Sequence, residues 1–270
     1  MINHLDTSIV ATIARREAGL SIKSLGTHLI LLALALGMVL LSRTALTPSE
    51  DLFSGQAGEV VVSLFLFVAL SIVVMMNSTL AGASIADDRD KKVTEILLSA
   101  ARPEEIYVGK LLGHSLVGTG QIILLWGVVV TSLFSLTLGQ GGGEFPWLAA
   151  SLVLLFFLPG YFLFTALHTI AGVLVNRNED YMFTQIPILF LLLLSLCIPF
   201  APMLGWGSLT EGWIVALSWL PPLSMGTAPL TYLAGNTLPW LLILSWVMLV
   251  LAALSLIALG SRIFRRRILL

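Results

Sequence analysis

Charge is what this chain has least of. Lys, Arg, Asp and Glu make up 11% of its 270 residues, against about 25% in an ordinary soluble domain. The 14 basic and 15 acidic residues nearly cancel, so no strong overall field draws in a nucleic acid or another polyanion. Cysteine is almost absent. The single Cys197 excludes an intramolecular disulfide and a cysteine-held metal cluster. No GxxxxGK[ST] loop occurs. The nearest fragment, at Gly109 and Lys110, lacks the upstream glycine and the following hydroxyl residue, so this chain does not cradle ATP phosphates. No HExxH and no GxSxG appear, nor any pair of aspartates within an apolar run. No nucleophile, base or metal for hydrolysis is therefore visible. The chain reads as non-enzymatic, with no cofactor of its own.

What is present is apolar sequence, 57% of the total. A membrane span takes about 20 mostly apolar residues. The charge-poor windows give six, at 24–42, 60–84, 108–138, 146–175, 182–202 and 238–260. Residues 212–261 carry no charge at all, which leaves room for a short element before the last span. Pro221, Pro222, Gly226, Pro229, Gly235 and Pro239 punctuate that region. Residues 213–220 are too short to cross and read as a re-entrant or interfacial helix within an outer region, 203–237. Pro159, Pro187 and Pro199 predict kinks or half-breaks in the fourth and fifth spans. The expected fold is a single all-α integral membrane domain over 1–270.

Six spans put both termini on one side. If that side is the cytoplasm, 13 of the 14 basic residues lie inside and only Arg43 lies outside, a strong positive-inside pattern. Trp147, Trp206, Trp213, Trp219 and Trp240 then fall at or near the outer interface, which suits their amphipathic rings. The charges that precede the first apolar run do not match a cleaved signal peptide. The expected location is the cell (cytoplasmic or inner) membrane.

Three segments are not spans. Residues 1–22 read as an amphipathic helix in the inner interface, with Leu5, Ile9 and Ile13 at four-residue spacing and Arg15, Arg16 and Glu17 at its charged end. A solvated lead-in to the first span is the simpler alternative. Residues 86–110 hold 11 of the 29 charges. Val93, Ile96, Leu97 and Leu98 form a short apolar helical face there. Pro103 stops that helix, and Glu104 and Glu105 suit the first turn of the next. A loop that only sets orientation has no use for an ordered apolar face, so the segment 86–106 reads as a docking element at the inner surface. The outer region 203–237 reads as a lid or gate centred on Pro221 and Pro222, with a surface loop as its alternative. The tail 261–270 is basic.

Few polar groups lie within the spans. Asn77, Gln121, His168 and Gln185 are the candidates for a pathway, with packed structural roles as the alternative. No Asp, Glu, Lys or Arg lies deep in any span, which disfavours a proton relay or a hard-oxygen cation site. His114, four residues past Lys110, reads as structural. An apolar bundle with one inner docking element suggests a transporter subunit whose energy comes from a separate partner.

The inner loop also carries a resemblance. The run ADDRDKKVTEILL from residue 86, followed by Pro103 and by Gly109 and Lys110, resembles the signature between the second and third spans of type-2 ABC exporter permeases. Gln121, the loop 176–181, the LPPLS turn at 220–224 and the ending SRIFR at 261–265 are similar to the sodium-efflux (Nat-type) branch of that family. The segment 228–231 lacks the basic residue that this branch often carries after the turn. The resemblance implies two permease chains, identical or different, paired with two cytoplasmic ATPase subunits that hold ATP and Mg. It implies ATPase-coupling roles for Arg15, Arg16, Glu17, Asp88, Arg89, Thr94, Glu95, Ile96, Leu97, Leu98, Pro103, Gly109 and Lys110. A standalone secondary transporter or channel is the second reading, and a membrane scaffold for a multiprotein complex the third.

Overall fold

The computed structural model describes residues 6–22, 55–139, 145–201, 212–235 and 237–269. Every regular element among them is helical. In chain order these are α1 (Thr7–Ile22), α2 (Gly55–Asp90), α3 (Val93–Leu98), α4 (Pro103–Gly139) and α5 (Trp147–Leu174), then α6 (Asn178–Thr184) and α7 (Ile186–Cys197), which runs into a single 3-10 turn, and finally α8 (Gly212–Leu217), α9 (Ser224–Leu233) and α10 (Pro239–Leu269). Five stretches are long and apolar enough to cross a membrane: Leu66–Asp90, Pro103–Ser135, Trp147–Leu174, Asn178–Phe200 and Pro239–Arg267. They match the second to sixth expected spans. The expected span at 24–42 lies outside the described residues, as do residues 202–211 of the outer region.

Hydrocarbon offers no water to pair with backbone, so a spanning chain satisfies its own N–H and C=O groups as helix. Prolines then decide where the helices break. The fifth span divides at Gln185 into α6 and α7, with Pro187 in the first turn of α7, where its missing N–H is no loss. Pro199 opens into the 3-10 turn. By contrast, α5 runs on through Pro159. The outer region holds more helix than its punctuation predicts: α9 carries Pro229 in its interior and is buried along nearly its whole length. Thr227 Oγ1 donates to the Leu223 carbonyl at 2.9 Å and Thr231 Oγ1 to that of Ala228 at 3.1 Å, so neighbouring hydroxyls serve backbone oxygens on either side of the proline.

The main core lies among α2, α4, α5, α9 and α10, with Phe67 and Phe157 edge to face at 5.2 Å. Without a hydrophobic force between spans, close packing needs small residues. A Cβ on Gly172 of α5 would strike the Gly82 carbonyl of α2. Gly160 leaves room for Met225 of α9 in the same way. Indole N–H groups take carbonyl partners: Trp126 Nε1 donates to Ala150 at 2.9 Å and Trp246 Nε1 to Leu155 at 3.0 Å. Aromatic rings gather at the end where α5 and α10 begin. Phe134, Phe145 and Trp147 stack there with centroids 4.7–5.8 Å apart, and Trp240 is exposed. Charged residues gather at the opposite end.

The helix α1 lies across α4 at that charged end. Val10, Ile13, Ala14, Glu17 and Ser21 are its buried residues, the face that three- and four-residue spacing selects. The contact is close because α4 presents Gly109 and Gly113. A Cβ on Gly109 would sit 2.8 Å from Ile13 Cβ, and one on Gly113 would sit 2.7 Å from the Ala14 carbonyl oxygen. Gly113→Ala is expected to push α1 off its seat and destabilise the protein by about 1–3 kcal/mol. A lower Tm in detergent together with earlier protease cleavage within α1 checks it.

Candidate functional site

The charged end is organised by one lysine. Lys110 sits on α4, one helical residue from Gly109, and its side chain is 3% exposed. Its Nζ lies 2.6 Å from Asp88 Oδ2 of α2 and 3.5 Å from Glu17 Oε1 of α1. It also donates to Ser84 Oγ at 3.0 Å. Ser84 Oγ in turn donates to Glu17 Oε2 at 3.2 Å, and His114 Nε2 stands 3.5 Å from the same oxygen. Three helices thus meet on one ammonium and two carboxylates. Burial alone raises the Glu17 carboxyl, but the contact with His114 and the positive charges of Lys110 and Arg16 outweigh it and hold Glu17 down at about 2.

Above this cluster the chain turns into α3. Asp87 pairs with Lys91 at 2.8 Å across one helical turn. Lys92 then takes a left-handed φ of 56°, which reverses the chain out of α2. Within α3 the side chains divide. Thr94 is buried, and Leu97 and Leu98 pack against the cluster of Ile13, Ile85, Ile106 and Leu111. Glu95 is exposed, and Ile96 stands 72% exposed. Pro103 opens α4. Glu105 is the third residue of that helix, and its Oε2 accepts the Arg102 N–H at 2.9 Å while its Oε1 accepts the Asp6 N–H at 2.9 Å. One carboxylate therefore caps α4 and fastens the start of α1 beside it. Between these parts opens a cavity of about 630 Å³, lined by Asp6, Ile9, Leu98, Ala100, Ala101, Arg102 and Glu105.

The other coupling candidates sit around this frame. Arg15 and Arg16 are exposed, whereas Glu17 on the same helix faces inward. Arg89 reaches across to α5: Nη1 donates to the Val173 carbonyl and Nη2 to Asn176 Oδ1 at 3.0 Å. It thus serves the last turn of α5, where carbonyls lack helical partners. The structure brings Gly109, Lys110, Asp88 and Glu17 together. The sequence reading missed Ser84 and Gly113, and set His114 aside as structural. Gly113 and His114 follow Gly109 and Lys110 by four residues, a spacing that places each pair on one face; Ser84 carries no such signal.

Three of the four pathway candidates are bonded within the chain. Asn77 Nδ2 donates to Gln121 Oε1 at 2.7 Å, joining α2 to α4. His168 sits fully buried with Nδ1 3.0 Å from the Phe164 carbonyl and Nε2 3.5 Å from Thr79 Oγ1. Gln185 stands apart from them at the junction of α6 and α7. At the aromatic end Pro222 is buried, and its carbonyl accepts from Ser195 Oγ at 3.4 Å; Pro221 is half-buried.

Removing Lys110 leaves the buried Glu17 and half-buried Asp88 carboxylates without their shared cation. Lys110→Met is expected to destabilise the protein by about 3–5 kcal/mol, and adding Glu17→Gln to recover part of that loss. Thermal melts of the single and double variants check it. Glu17 also sets an acid limit. Its carboxyl is lowered on folding from 4.5 to about 2, so its contribution is complete above pH 4.5 and disappears as pH falls towards 2. Acid titration of stability is expected to lose on the order of 3 kcal/mol through this window in the native chain, and visibly less in Glu17→Gln.

The helix α3, the ion cluster beside it and the bundle below now bear comparison with known proteins. The curated uncharacterized protein YhaP of Bacillus subtilis (strain 168) is 32% identical over 169 residues, which cover 59% of this chain and 39% of YhaP. The matched part thus spans well under half of that relative. A family profile described as "ABC-2 family transporter protein" matches residues 20–262, from the end of α1 to the first arginine of the tail. That profile takes in the five candidate spans and α3, and the chain belongs to the ABC-2 transporter family.

Proposed function

We propose that this chain is the transmembrane subunit of an ATP-driven exporter, coupled to separate cytoplasmic ATPase subunits through α3 and the neighbouring part of α1. The observation that carries this reading is the division of α3. Leu97 and Leu98 hold it to the bundle while Glu95 and Ile96 stand outward. An exposed isoleucine beside a carboxylate, on a helix that the bundle holds firmly, suits a groove with a basic rim. The charge would set register and the apolar group affinity. The cavity between Asp6, Ile9 and Leu98 lies next to it and widens the same surface. Arg15 and Arg16 extend it along α1. The charged end then faces the cytoplasm, in keeping with the concentration of basic residues there.

ATP and Mg belong to the partner ATPases. Their closure would press on α3 and α1, and the Lys110 cluster passes that displacement to α2 and α4, which both carry it. A second permease chain completes the pathway. The spans at 178–200 and 239–267 are mostly unburied within this chain, so each offers an outward face to a partner or to lipid. The Asn77–Gln121 and His168–Thr79 contacts line the route or brace it from behind, and the Pro221–Pro222 corner is the outer gate. The apolar interior favours an amphipathic or lipid-like solute over a hard cation, since no carboxylate lies at depth.

The test is a reconstituted complex with its ATPase. Glu95→Ala and Ile96→Asp are expected to leave Tm unchanged and to reduce both ATPase co-purification and substrate-stimulated hydrolysis at least about tenfold. Full stimulation in Ile96→Asp overturns the docking assignment.

A further inference from the structure

The outward face of α10 is left open to a partner or to lipid by the reading above. Trp240, Leu244, Met248, Leu251, Leu254 and Leu259 are exposed along it. At 100° per residue they form one stripe, and Arg262, Arg265 and Arg266 continue the same stripe at its basic end, all exposed. Trp240 and Arg262 are 22 residues apart, about 33 Å of helix. That distance is the thickness of a hydrocarbon core, about 30 Å. One continuous face therefore carries an indole at one membrane boundary, aliphatic side chains between, and guanidinium groups at the other. Arg265 is held to Glu104 of α4 at 3.1 Å, which fixes the rim of the site. Arg267 lies on another side of the helix, towards Arg89.

We propose that Arg262 and Arg266, with Arg265 beside them, bind the phosphate of an anionic phospholipid in the leaflet at the basic end, whose acyl chains lie along the Leu251–Leu259 part of the stripe. Charge complementarity selects an anion, since planar guanidiniums match phosphate oxygens in pairs. Continuity with the acyl-facing stripe selects a lipid over a free phosphate or an acidic protein. A juxtamembrane arginine contributes about fivefold in affinity for an anionic surface.

The purified full chain is incubated with equal amounts of phosphatidylglycerol and phosphatidylcholine of the same acyl composition, and retained lipid is counted by native mass spectrometry. The native chain is expected to retain phosphatidylglycerol at least about tenfold over phosphatidylcholine. Inorganic phosphate is not expected to displace it, whereas rising salt does. Arg262→Gln/Arg266→Gln is expected to abolish the preference, Arg262→Lys/Arg266→Lys to keep part of it, and Arg15→Gln/Arg16→Gln to leave it intact. An equal preference in the double glutamine variant, or its loss in the Arg15/Arg16 control, overturns the site. So does displacement by inorganic phosphate, or a native chain that shows no preference at all. Loss of ATPase co-purification with lipid preference unchanged would assign the arginines to a protein partner instead.

Discussion

One buried ammonium holds the charged end of this molecule together. Lys110 is in contact with Glu17 of α1, Asp88 of α2 and Ser84 between them. Withdrawing these charges from water costs more than any single pair returns, so the cluster persists only because its geometry is complete. Completeness requires α1 to lie close against α4, and the glycines at 109 and 113 permit that approach. Packing and charge thus impose the same position on α1. A helix that lies across the bundle rather than through it has little else within this chain to fix it, because the side chains on its other faces are exposed.

Apolar packing explains why a helix as short as α3 is ordered. Six residues do not form a stable helix alone. This one is anchored by Thr94, Leu97 and Leu98 and is bounded by the left-handed Lys92 before it and the Glu105 cap after it. Its exposed residues are therefore held in place before any partner arrives, which lowers the ordering cost of docking. At the far end of the bundle aromatic rings take over, and charge is absent from the middle. The spans carry the polarity of a membrane on their surfaces: guanidiniums at one boundary, indoles at the other and aliphatic side chains between.

Much of this was legible in the sequence because scarcity of charge is a strong signal. Charge-poor windows located the five described spans, and the crowding of charge at 86–110 located α3. Helical spacing also separated Glu17 from Arg15 and Arg16, since residues 10, 13, 14 and 17 share a face. Other parts were hidden for physical reasons. Four apolar residues in α3 share one short helix, and their sequence does not say that Ile96 faces away while Leu97 and Leu98 face in; only the position of α1 and α4 decides that. Pro229 reads as a breaker, yet α9, buried along nearly its whole length, stays helical through it. Ser84 and His114 joined the ion cluster through the fold of three distant segments. The sodium-efflux branch rests on short motifs alone, and no carboxylate lies at depth among the described residues to support it.

The central claim is that α3 is where a separate ATPase grips this chain. The most direct measurement places a photo-crosslinking amino acid at position 96 in the intact complex within its native membrane and identifies what it captures. The account predicts a crosslink to a P-loop ATPase subunit, lost when the probe is moved to the buried position 94. Capture of lipid alone, or of no nucleotide-binding protein, would contradict it.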